Sequence, residues 1–260
     1  MTCVLAGFIG MLAASGLLIG AVVGYTERLP HRAIAVVMGF GSGVLVAVLT
    51  LELITESGER GSVLATATGF IAGAFLFSIG NWLVARRGAA ERKRCGFCVP
   101  QPSEDEVPGS GLAIAVGALI DGIPESLAIG LSIAVVGDAG PASASTNLSV
   151  ALVAGFFLAN IPQGISSASG MHHAGRSRRY VLGVWAIVVG ASTVASIVGA
   201  VAFDDTGDEF LAALTALAAG GVLAMLAETM IPEAFHLDRR FIGTITASGF
   251  IVALLLGSAS

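Results

Sequence analysis

Eight stretches of the chain each hold about twenty almost wholly apolar residues, the length a helix needs to cross the hydrocarbon core of a bilayer. They lie near 4–24, 33–55, 62–84, 111–136, 148–170, 181–203, 210–231 and 241–258 of a 260-residue sequence. This predicts an all-α, polytopic membrane protein with eight transmembrane helices in one domain, 1–260. Only 12% of the residues are charged and the mean hydropathy is +0.88. A soluble domain carries roughly 25% charged residues, so an ordinary soluble enzyme is excluded. Thirteen basic residues against eighteen acidic ones leave a net charge of −5, with no basic footprint for nucleic acid. The three cysteines suggest no disulfide framework, since Cys95 and Cys98 are too close together. Thirty-five glycines spread through the apolar runs match closely packed membrane helices, and they would allow two copies to pair as a homodimer. The first run lacks a basic flank and is long enough to cross, so it is read as a helix rather than a signal peptide.

Orientation follows from the basic residues, which cytoplasmic loops retain. Arg28 and Arg32 separate spans one and two; Arg86, Arg87, Arg92, Lys93 and Arg94 separate three and four. Arg176, Arg178 and Arg179 separate five and six, and Arg239 and Arg240 separate seven and eight, which leaves only Arg60 on the opposite side. Both termini are therefore expected outside a plasma or inner membrane. The outer loops carry Glu56, Glu59, Asp138, Asp204, Asp205, Asp208 and Glu209, either a mouth that attracts cations or a solvated acidic surface. Residues 85–110, polar and divided into a basic and an acidic block, are expected to form a flexible cytoplasmic loop.

Ionisable side chains within a membrane are costly, which makes each a functional candidate. Asp121 and Glu125 in span four are spaced i, i+4, so both carboxylates share one helix face about a turn apart. Pro124 between them removes a backbone hydrogen bond and clashes with the carbonyl of residue 120, which is expected to kink the helix and free carbonyl oxygens near the acidic pair. Span five repeats the arrangement with Asn160, Pro162 and Gln163, whose amide oxygens suit hard cations, and Ser166 or Ser167 could add hydroxyls. The competing structural readings are protonation for the acids and interhelical hydrogen bonding for the amides. Glu52 and Glu228, near span ends, are second-tier candidates for which interfacial anchoring or capping serves equally well. A pocket lined only by oxygen, without intramembrane His or Cys, favours hard ions.

Two stretches, GSGVLVAVLTLELITES and AAGGVLAMLAETMIPEA, echo each other in spans that run in opposite directions. This suggests inverted repeats of three helices flanking a central pair, a 3+2+3 arrangement. His31, His172, His173 and His236 fall at or near internal loops, and Cys95 with Cys98 form a lone CxxC. Both are read as lying outside any structured metal site.

The stretches DGIPESLAIG, ANIPQGISSASGM and AETMIPEAFH resemble the signature helices of the ZIP (Zrt/Irt-like protein) metal transporters, and the likeness extends over nearly the whole chain. In span four the family pattern resembles HNxPEG. Asp121 stands at its His, Gly122 at its Asn, and Pro124 and Glu125 match directly. In span five Ala159, Asn160, Pro162 and Gln163 stand where a polar pair, Pro and Glu are usual, so an acid is replaced by an amide. Span six offers Ser192, Thr193 and Ser196 but no acid, which points to one metal site rather than two.

The resemblance implies a carrier that moves a divalent metal such as Mn, Fe, Zn or Co toward the cytoplasm by alternating access. No enzyme activity and no permanent cofactor are expected; the metal is substrate, and the bilayer is the other partner. A metal-sensing or scaffold protein that does not transport, and a carrier of another cation, remain as rivals. An intramembrane hydrolase lacks the histidine it would need.

Overall fold

A computed structural model describes residues 2–26, 30–89, 101–103, 105–138, 150–203 and 206–258. Arg28, Arg92, Lys93, Arg94, Cys95, Cys98, Asp204 and Asp205 lie outside them, as do the side chains of His31 and Asp138. Among the described residues the regular structure is helical throughout. The helices are α1 (Thr2–Tyr25), α2 (His31–Val48), α3 (Ile54–Arg60), α4 (Val63–Val84), α5 (Ser110–Asp138), α6 (Val150–His173), α7 (Arg178–Val201), α8 (Asp208–Met225), α9 (Ile231–Leu237) and α10 (Ile242–Ser258).

Two joints between these helices are π-helical. Leu49–Leu53 runs from α2 into α3, and Leu226–Met230 runs from α8 into α9. Each widens the spiral by one residue: Ile54 N–H donates to the Leu49 carbonyl and Ile231 N–H to that of Leu226. The two compound rods are built alike, with 18, 5 and 7 residues in their three parts. A third π segment, Ala85–Ala89, extends α4 to a turn at Gly88, whose φ of 90° is a left-handed conformation that glycine adopts without strain. Only the first residues of the expected 85–110 loop, Ala85 and Arg86, continue the helix before the backbone turns at Arg87 and Gly88, and Gln101 and Ser110 within the loop are buried.

Among the described residues six helical segments are long and apolar enough to cross a membrane: Thr2–Tyr25, Arg32–Arg60, Val63–Ala89, Ser110–Ala134, Arg178–Val201 and Asp208–Leu237. The other two expected spans correspond to α6 and α10. Helix α6 has 24 residues and carries Asn160, Gln163, Ser166, Ser167 and Ser169 along it. The apolar segment of α10, Ile242–Gly257, is shorter. Span two also extends past its expected end at 55, which moves Glu56 and Glu59 from a loop into α3.

Helix pairs meet where one partner has no side chain. A Cβ on Gly16, Gly20 or Gly24 of α1 would run into the carbonyl oxygens of Phe157, Ile161 and Ile165 on α6. Gly43 of α2 presses on the Thr246 carbonyl of α10, Gly220 of α8 on that of Phe70 in α4, and Gly130 of α5 on that of Ser196 in α7. In lipid, where burying apolar surface gives little drive for helices to associate, such close approach supplies the dispersion contact that holds them. The largest core cluster joins α5 (Ala128, Ile129, Ile133) to α6 (Leu152, Phe156, Ala159), α2 (Leu45, Val48) and α8 (Ala219, Val222). Val63, Leu64, Ile71, Phe75, Leu76 and Leu83 of α4 are exposed, an apolar flank suited to lipid.

Charges divide between the ends. At one end Tyr25 Oη donates to the Arg176 carbonyl at 3.4 Å, Arg32 pairs with Asp238 at 3.4 Å, and Arg176 donates to the Pro102 carbonyl at 3.2 Å and to Ser110 Oγ at 2.8 Å. Arg86 of the same end lies over the Trp82 ring, 4.4 Å from its centroid. The opposite end carries Arg60 among Glu56, Asp208 and Glu209.

Candidate cation site

Asp121 and Glu125 project from the middle of α5 and are 3% and 2% exposed, so the helix turns both carboxylates into the bundle. The helix runs unbroken through Pro124, whose ring fits against α8: a Cβ on Gly221 would lie 3.1 Å from the Pro124 Cβ and Cγ. A proline leaves the carbonyl one turn back, at Ile120, without its helical donor. Beside Asp121, a Cβ on Gly122 would lie 3.0 Å from Ser192 Oγ, so α7 closes on this part of α5 and brings the buried Ser192 next to the acidic turn.

Helix α6 supplies the amides. Asn160 and Gln163 are buried, and each has its nitrogen engaged with a different neighbour. Asn160 Nδ2 donates to the Ala13 carbonyl of α1 at 3.2 Å, and Gln163 Nε2 donates to Met230 Sδ at 3.6 Å. With the nitrogens committed, the carbonyl oxygens are the ends suited to a cation. Ser166 Oγ contacts Met38 Sδ at 4.0 Å, and Ser167 is buried one residue on. The acidic turn of α5 and the amide turn of α6 flank one apolar cluster, which begins at Ala128 on α5 and ends at Ala159 on α6. Among the described residues no three His, Cys, Asp or Glu side chains form a metal group.

The second-tier acids lie elsewhere. Glu52 sits half-buried within the π segment Leu49–Leu53. Glu228 is exposed, and both its partners are on α4: Asn81 Nδ2 donates to Oε2 at 2.7 Å and Ser78 donates to Oε1. It fastens the α8–α9 rod to α4. His172 stacks at 4.3 Å on Tyr25, and His173 Nδ1 meets the Ser169 carbonyl at 2.9 Å, while His236 is exposed on α9.

Two acids matter more in the structure than in the sequence reading. Glu233 is 4% exposed, at the third position of α9. Glu56 holds the same position in α3 and accepts from Ser132 Oγ of α5 at 3.4 Å. Both are legible as acids three residues into the last segment of like-built rods, but only once the π segments are placed. No protein-family model and no curated protein sequence matches the chain.

Proposed function

We propose that this protein is a carrier of divalent transition-metal cations of the ZIP kind, with Asp121 and Glu125 as its charged ligands and Asn160 and Gln163 as neutral ones. The observation that carries this reading is the burial of two carboxylates one turn apart, mid-helix, in a chain whose described basic residues all lie at helix ends or between helices. Two carboxylates balance one divalent charge, and their oxygens suit Mn, Fe, Zn or Co.

Alternating access by a 3+2+3 bundle completes the proposal. In support, α4 packs on α8 as α10 packs on α2, α3 on α8 as α9 on α2, and α5 on α7 as α6 on α1. Such reciprocity is what two inverted three-helix units around a central α5–α6 pair would produce. The basic end faces the cytoplasm in this reading, both termini lie outside, and the bundle rocks about the acidic turn.

The test is uptake of Mn, Fe, Co, Zn and Cd into proteoliposomes by the native chain, Asp121→Ala and Glu125→Ala. Saturable uptake lost in both variants is the expected result. Metal binding without uptake would favour a sensor instead, and uptake indifferent to both substitutions would remove the site.

A further inference from the structure

Seven residues beyond Glu125, two helical turns or about 10.5 Å along the same face of α5, stands Ser132. Its hydroxyl donates to Glu56 Oε2 at 3.4 Å. Asp121, Glu125 and the Ser132–Glu56 pair are thus the polar groups along one face of α5, a file that leads from the middle of the bundle past the buried Ala128 and Ile129 to its acidic end.

At the head of that file is Arg60, the single basic residue of the acidic side. Its Nε lies 3.9 Å from Glu56 Oε1 and its Nη1 lies 3.5 Å from Asp208 Oδ1. Glu56 Oε1 is buried and takes no hydrogen bond, so the guanidinium, at ion-pair rather than hydrogen-bond distance, is its counter-charge. The pair is partly sheltered, with side-chain exposures of 22% and 20%, whereas Asp208 is 74% exposed.

The corner that presents Arg60 is fixed. Ser57 Oγ donates to the Ala212 carbonyl at 2.8 Å, and Ser62 donates through its backbone N–H and its hydroxyl to Glu209 Oε2 at 3.0 and 3.1 Å. These bonds hold α3 and the start of α4 against the first turn of α8. With the backbone of this corner held, the Arg60 side chain is the part of it left to move at the head of the file.

We propose that Arg60 is a tethered stand-in for the transported cation. Paired with Glu56 and Asp208, it closes the acidic end of the path to Asp121 and Glu125, and a divalent cation opens that end by taking its place on Glu56. The proposal rests on the carrier reading above and adds a gate to it. It explains a lone arginine on an otherwise acidic face, where a fixed positive charge would otherwise repel the cargo.

The experiment uses the full chain in nanodiscs, with Cys3, Cys95 and Cys98 replaced by Ala and Ser132→Cys introduced. The rate at which a charged maleimide labels position 132 reports whether the file is open. Arg60→Gln is expected to speed labelling by about two- to fivefold, the range a partly exposed ion pair supports. Arg60→Lys, which keeps the charge, should stay slow. Glu56→Gln removes the same pair from the other side and should also label fast, which keeps the test valid if one variant folds poorly. Mn²⁺ should speed labelling of the chain that retains Arg60 and add nothing to Arg60→Gln. Equal labelling rates with and without the Arg60→Gln substitution, or no response to Mn²⁺, would overturn the gate. Labelling needs no flux, so a gate that responds as expected in a chain that takes up no metal would count against the carrier reading alone.

Discussion

Asp121 and Glu125 are the residues on which the reading depends, because a buried carboxylate is tolerated only when something is gained by it. Partners of metal ligands alone are worth about 10–100-fold in affinity, so loss of a charged ligand should cost at least about 100-fold. Asp121→Asn and Glu125→Gln keep the shape of each side chain, and both should lower metal affinity by that much in calorimetric titration of purified protein while eluting as the native chain does. Glu228 should behave oppositely. Its bonds to Ser78 and Asn81 join two rods, and interhelical hydrogen bonds of this kind are worth about 0.6 kcal/mol on average and up to about 1.7 kcal/mol. Glu228→Ala should therefore lower the thermal midpoint measurably and leave metal affinity within about twofold of native. The acids themselves are plain in the sequence, since charge in an apolar run needs no fold to be noticed. Their division of labour is not, because it depends on which helix each one meets.

Among the elements, the glycine seams carry the clearest expectations. Gly43 and Gly220 each abut a backbone carbonyl of the facing helix, so an added methyl must push the two helices apart. Gly43→Ala and Gly220→Ala should each cost about 1–3 kcal/mol, read as a fall in the detergent-unfolding midpoint. Gly183, with no atom within 4 Å of where a Cβ would sit, is the contrast: Gly183→Ala should be neutral or stabilising by up to about 1 kcal/mol. Hydropathy locates most rods but not their inner detail. The π segments Leu49–Leu53 and Leu226–Met230 retain helical periodicity to within one residue, so nothing in the apolar pattern marks them. The end of span two is hidden in a similar way. The apolar run stops before Glu56, yet α3 continues through Gly58 to Arg60 because its side is held by Ser57 against α8.

For the whole molecule, the separation of charge sets orientation. If the basic end faces the cytoplasm, a cysteine placed at Ser177 should react with an impermeant reagent only from the inside of intact cells, and native Cys3, exposed on α1, only from the outside. Reaction of both from one side would reverse or break the proposed topology.

The seams also constrain how such a bundle can deform. Where two backbones touch with no side chain between them, there are no rotamers to reshuffle, and one helix cannot roll over the other without collision. α1 with α6, α5 with α7, α4 with α8 and α2 with α10 are thus stiff two-rod beams. Helix α1 also joins the first two of these beams, since a Cβ on Gly10 would lie 2.5 Å from Ser196 Cβ on α7 and Ser196 Oγ donates to the Ala6 carbonyl at 3.0 Å, so α5, α7, α1 and α6 form one stiff unit that carries both the acidic and the amide turn. In the proposed carrier the spacing between carboxylates and amides would then be kept by the rigidity of that unit, and movement would be left to the helices around it.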